Sequence, residues 1–145
     1  MLSSIIGIAI WCICFGIGQS LNNQQWNSIN HILKNKNPGF NNVQIQTRTR
    51  EIIYNSYEKW AVQQSHVFKI YHYSLCRNLD GDELAIYGCI GLKNAVQNYN
   101  PDKCGMFTTY AEFYLKSELY RGVKKLLPLA SLDEDVYDNI LDCIE

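Results

Sequence analysis

The sequence predicts an all-α protein, a small bundle of three main helices with a hydrophobic leader before it and a short helix after it. Three observations support that class. Apolar residues recur at intervals of three and four through residues 51–99. Turn signals at Asn78-Leu79-Asp80-Gly81-Asp82, Asn100-Pro101 and Pro128 divide the chain into helix-sized pieces. With 145 residues and 47% hydrophobic content, one modest domain can bury a core.

The chain opens on a nearly unbroken apolar run over residues 5–18, with no charge before Lys34. At about 18 residues it falls between a signal-peptide core and a short membrane span. Residues 1–20 are therefore read as a signal or anchor-like segment, with Gly16, Gly18 and Ser20 small enough for cleavage. A buried hydrophobic helix, or upstream sequence joined to the true start, are the alternatives. All 14 acidic residues lie at or after Glu51. Residues 21–50 are acid-free, rich in Asn, Gln and Ser, and carry Lys34, Lys36, Arg48 and Arg50. That composition suits a linker or an organellar transit segment. A hydrophobic start followed by an acid-free stretch resembles the two-part address of plastids with extra envelope membranes, so a plastid is the leading expectation. A cytoplasmic or membrane-anchored protein, with residues 5–18 in contact with the membrane, is the alternative.

From Glu51 to about Ser74, Ile53, Tyr57, Trp60, Ala61, Val67, Phe68 and Tyr71 mark one face of a long amphipathic helix. Asp80 or Asp82 caps the next helix. Its Leu84, Gly88, Gly91, Leu92, Ala95, Val96 and Tyr99 line one side with residues small enough for a close neighbour. It should end before Asn100-Pro101, because the residue before a proline is pushed out of the α region. Thr109-Tyr110-Ala111-Glu112 fits a capping box for a third helix. That helix should reach about Leu127 and stop at Pro128. The domain thus spans residues 51–128. Residues 129–145 form an acidic tail in which Val136, Ile140, Leu141 and Ile144 suggest a short helix.

Catalytic and metal chemistry find little purchase. Cys12 and Cys14 fall in the leader, while Cys76, Cys89, Cys104 and Cys143 are scattered with no C-x-x-C, so free thiols packed as small hydrophobes in a reducing compartment are expected. His31, His66 and His72 have no plausible nucleophile beside them and no Gly-rich phosphate loop occurs, so an enzyme is the least supported class. Residues 78–82 hint at a calcium loop, but the glycine is misplaced and Cys89 stands where a bidentate Glu is required. No metal and no cofactor is expected.

Residues 82–121 join an apolar-periodic helix, an Asn-Pro turn and an aromatic-dense helix in a fixed order. The chain supplies Asp82, Leu84, Gly88, Gly91, Leu92, Ala95, Val96, Tyr99, Asn100 and Pro101, then Phe107, Thr108, Thr109, Tyr110, Ala111, Phe113, Tyr114, Leu115, Lys116, Leu119 and Arg121. This order resembles region 2 of RNA polymerase sigma factors of the sigma-70 family, the promoter-melting and core-binding domain. The resemblance covers about half of the chain when the helix from Glu51 is included. It departs from the family where Ile86 and Tyr87 replace a Gln-Glu pair, where Phe113 and Tyr114 replace a tryptophan pair, and where Gly105 sits at a position often aromatic. Ser117 and Tyr120 occupy positions that read a base pair in the main class. No room remains for the family's separate helix-turn-helix, so a fragment, a truncated chain or a minimal sigma-like protein is expected.

The resemblance implies a transcription initiation factor. It would bind bacterial-type core RNA polymerase and capture the non-template strand of the promoter −10 element. Phe107, Thr109, Tyr110, Phe113 and Tyr114 are then the expected strand contacts; Tyr110, Phe113 and Tyr114 share one helix face. Lys116, Arg121, Lys124 and Lys125, opposed by Glu118, would meet phosphates. Asp82, Leu84, Ile86, Tyr87, Ile90 and Lys93 are the expected polymerase contacts. The rival is a helical protein-interaction module, tethered or soluble, that keeps the scaffold without promoter activity. The apolar Ile86-Tyr87 pair and the acidic tail favour it, and the aromatic-basic helix opposes it.

Overall fold

A computed structural model describes residues 20–35 and 39–127, and among these all regular structure is helical. Five helices follow in order: α1 (Asn23–Lys34), α2 (Phe40–Tyr71), α3 (Tyr73–Cys76), α4 (Gly81–Asn98) and α5 (Phe107–Leu126). The apolar run of residues 5–18 and the acidic tail lie outside the described residues. No described helix is long and apolar enough to cross a membrane. The chain divides into two compact units between Trp60 and Ala61, inside α2.

In the first unit, the stretch read as a linker is partly helical. Asn22 and Gln25 form a reciprocal capping box, each side chain accepting the other's backbone N–H at 2.8 Å, which satisfies two donors at the start of α1. Ile29 and Leu33, four apart, are its buried residues. Helix α2 begins at Phe40, ahead of the expected Glu51. Its hydroxyl-bearing residues do not compete with the helix, because Thr47, Thr49 and Ser56 donate to carbonyls four residues back at 2.7 to 2.9 Å. Trp26 Nε1 donates to the Tyr57 hydroxyl at 3.2 Å, and Tyr57 and Trp60 meet edge-on with ring centroids 6.0 Å apart.

The second unit packs the end of α2, α3, α4 and α5. Asp80 is the N-cap of α4, its carboxylate accepting the Asp82 N–H at 2.9 Å. All seven residues expected on the inner side of α4 are buried, with Ala85 beside them. Tyr99 caps its end, and Asn100 organises the turn by accepting the Asp102 N–H on its side chain at 2.9 Å. Small residues set the helix spacing. A Cβ on Gly91 would lie 2.8 Å from both Leu115 Cα and the Tyr114 carbonyl, and one on Gly88 would collide with Ser65 Oγ. Gly122 of α5 in turn faces the Tyr87 ring. With Gly91 opposite Leu115 and Tyr87 opposite Gly122, α4 and α5 run antiparallel. Phe68, Leu75, Cys76, Leu79, Leu84, Leu119, Val123 and Leu127 form the core. Burying one such Leu stabilises the fold by about 1.5–3 kcal/mol.

Three local expectations change. Helix α2 stops at Tyr71, which is exposed, and its inner line passes instead through Gln64 and Ser65 to Phe68; Ser65 is tolerated there because it donates to the Ala61 carbonyl at 2.9 Å. Helix α5 starts at Phe107 with Met106 as N-cap and no side-chain cap, so Thr109 is inside the helix and does not cap it. Glu112 pairs with Lys116 at 2.7 Å and does not reach back to the N-terminus.

Candidate nucleic-acid interface

Helix α5 carries the candidate surface because its inner side is anchored by Phe107, Ala111, Leu115, Leu119, Gly122 and Val123, which turns the residues between them outward. Phe107 belongs to this anchor. It is 3% exposed and meets Tyr99 edge-on at 5.3 Å, so it presents no face to a base, contrary to its expected role. From that buried pair an aromatic row leads outward. Tyr99 contacts Tyr110 at 5.9 Å, Tyr110 contacts Tyr114 at 5.0 Å, and Tyr114 contacts Phe113 at 6.0 Å. The Tyr110 hydroxyl donates to that of Tyr114 at 3.1 Å, which holds the two half-buried rings in register. Phe113, 74% exposed, ends the row in water.

The cations of α5 are arranged rather than loose. Lys116 pairs with Glu112, and Arg121 donates to Glu118 at 2.9 Å. Glu118 is buried, so Arg121 neutralises a carboxylate that the core would otherwise hold uncompensated. The Lys125 ammonium lies 5.9 Å from the Tyr87 ring centroid, which joins the outer edge of α5 to α4 by a cation–π contact. Lys124 is exposed, as are Lys116, Arg121, Lys125 and Thr109. With Lys116 exposed and Glu112 half-buried, their pair contributes about 1 kcal/mol, so a phosphate can compete for the lysine at modest cost.

On α4 the expected polymerase contacts separate into two sides. Leu84 is fully buried and cannot reach a partner, which corrects its expected role. Ile86, Ile90 and Lys93 are exposed and follow one another by four and three, with Asp82 one turn earlier, so they share an outward stripe. Ile86 is 59% exposed. Tyr87 is half-buried, its ring closed in by Gly122 and Lys125.

A cluster that the sequence did not announce sits where α2 meets α5. His72 packs on Phe68 at 4.4 Å and on Tyr120 at 5.6 Å, and Tyr120 meets Phe68 edge-on at 5.0 Å. The Tyr120 hydroxyl lies 3.4 Å from His72 Nε2. Burial, and then the charge of Lys116, pushes the His72 pKa below its ordinary value. Its sequence signal was only an i+4 pairing with Phe68. Burial pushes the Cys76 thiol up to about 11, with Lys69 opposing, so this cysteine behaves as a core residue. Among the described residues no three His, Cys, Asp or Glu side chains converge on a metal position. In comparisons with known proteins, the chain matches no family model, no curated protein and no solved structure.

Proposed function

We propose that the chain is a sigma-like transcription initiation factor. Its α5 receives the unpaired non-template strand of the −10 element while the outer stripe of α4 docks on bacterial-type core RNA polymerase. The observation that carries this reading is the aromatic row of α5. Phe113 stands open to solvent, backed by the Tyr110–Tyr114 pair, on a helix that also presents Lys116, Arg121 and Lys124. Opening a duplex requires a surface that holds bases in place of their neighbours, and stacking one base on an aromatic ring is worth about 1–3 kcal/mol. Cations flanking such rings hold the strand's phosphates and make its affinity salt-dependent. Arg121 is the least clean of these cations to mutate, since its loss strands Glu118.

Fluorescence titration of the full chain with single-stranded −10 DNA tests the reading. Phe113→Ala and Tyr114→Ala should each weaken binding by about 1–3 kcal/mol, or roughly fivefold to a hundredfold. Unchanged affinity in both variants removes strand capture as the mechanism. A second reading, a helical interaction module, is favoured by the exposed Ile86 and Ile90. Retention of core polymerase on the immobilised chain, lost on Ile86→Lys, distinguishes polymerase docking from that alternative.

A further inference from the structure

We infer that the strand-binding surface extends off α5 onto the junction of α2 and α3, where Tyr71 and Tyr73 form a second stacking platform for unpaired nucleic acid. The inference rests on the reading that α5 receives such a strand. Helix α2 ends at Tyr71 and α3 begins at Tyr73, with His72 alone between them at φ −107° and ψ 41°. The break directs Leu75 and Cys76 into the core and leaves Ile70, Tyr71 and Tyr73 in water, at 73%, 62% and 64% exposure. Three large side chains are exposed within four residues, and clustered exposed apolar surface is the kind of feature that marks an interaction site. Arg77 follows Tyr73 by four residues through α-helical backbone, so the cation and the ring share a side of α3.

The packing sets this junction beside α5. His72 touches Tyr120, which lies seven residues, or about 10 Å, along the helix from Phe113. Lys116 is near enough for its charge to act on His72. Charge selects the occupant. From Lys59 to Leu79 the chain contains no Asp or Glu. Of the nearby carboxylates, Asp80 is engaged in capping α4 and Glu112 is bound to Lys116. Lys69 donates to the Leu79 carbonyl at 2.6 Å and holds the turn, while Arg77 is exposed. Flat rings set among cations complement a polyanion that carries planar bases. A strand long enough to leave Phe113 and pass Tyr120 would meet Tyr71 and Tyr73 next.

The test is fluorescence anisotropy of the full chain with labelled oligothymidylates of about 6 and about 18 nucleotides. The double variant Tyr71→Ala/Tyr73→Ala should weaken the long strand about tenfold and the short one by less than about twofold, whereas Phe113→Ala weakens both. The Tyr71→Phe/Tyr73→Phe pair keeps the rings and should bind like wild type; a loss equal to that of the alanine pair overturns stacking. If the alanine pair leaves both lengths unaffected while Phe113→Ala weakens both, the junction is not part of the surface and the role of α5 stands. If no variant has an effect, both readings fall. Ultraviolet cross-linking of the wild-type chain to an iodouridine-substituted long strand checks the same point independently of folding. Adducts at Tyr71 or Tyr73 support the extension, and adducts confined to α5 overturn it.

Discussion

Helices α4 and α5 pack on each other through the same device, a small residue facing a large one, yet their outward sides differ in chemistry. Helix α4 presents Ile86, Ile90 and Lys93, an aliphatic stripe closed by one cation; α5 presents Phe113, Lys116, Arg121 and Lys124. The inner sides are interchangeable in kind, with Gly91 under Leu115 and Gly122 under Tyr87. The difference teaches that a residue's role on these helices follows from its angle and not from its type. Phe107 and Phe113 are the same side chain six residues apart, which on an α-helix is a rotation of about 240°. One is core and the other is open to solvent. Leu84 and Ile86, two apart, are separated in the same way.

The sharpest way to break this comparison is to truncate the two phenylalanines. Phe107→Ala should cost about 3–5 kcal/mol in urea denaturation, while Phe113→Ala should change stability by less than about 0.5 kcal/mol. Equal losses would mean that the angular assignment is wrong. On α4, Leu84→Ala should cost about 3 kcal/mol and Ile86→Ala much less, so only Ile86 leaves a folded chain in which docking can be measured. The glycine contact comes next. Gly91→Ala forces a methyl to 2.8 Å from Leu115 Cα and should destabilise by about 2 kcal/mol despite the better helix propensity of Ala. Gly105→Ala, with nothing within 4 Å of its added Cβ, should be neutral or slightly stabilising.

The smallest effect is a pH dependence at the edge of α5. The His72 pKa is lowered in the folded chain, by burial first and by Lys116 second. The unfolded chain therefore binds a proton more readily, and the stability present above 6.5 should decline as pH falls below that value through the folded pKa. The groups facing His72 are Phe68 of α2 and, on α5, Tyr120 and Lys116. His72→Phe keeps the ring contacts and should flatten this part of the melting-temperature profile between pH 7 and about 5. An unchanged slope would place the titrating group elsewhere.

Much of the second unit was legible in the sequence. The inner line of α4, its Asp80 cap and its end before Asn100-Pro101 follow from periodicity, a capping side chain and the restriction before proline, all of which act within a few residues. Helix α1 and the first turns of α2 were not legible. Their apolar content is low, and the Asn22–Gln25 capping box was masked by a composition that reads as linker. The α5 start was misplaced for a related reason. Thr109 and Glu112 have the spacing of a capping box, but burial of Phe107 against Tyr99 draws the helix start earlier.

By itself, then, the sequence determined that residues 51–127 are built of helices joined by short turns and where α4 begins and ends, because those choices depend on neighbours three or four positions away. Which rings face water and which cations already hold a carboxylate was decided only when the helices packed. Burial is a property of two surfaces in contact, and no single helix carries that information.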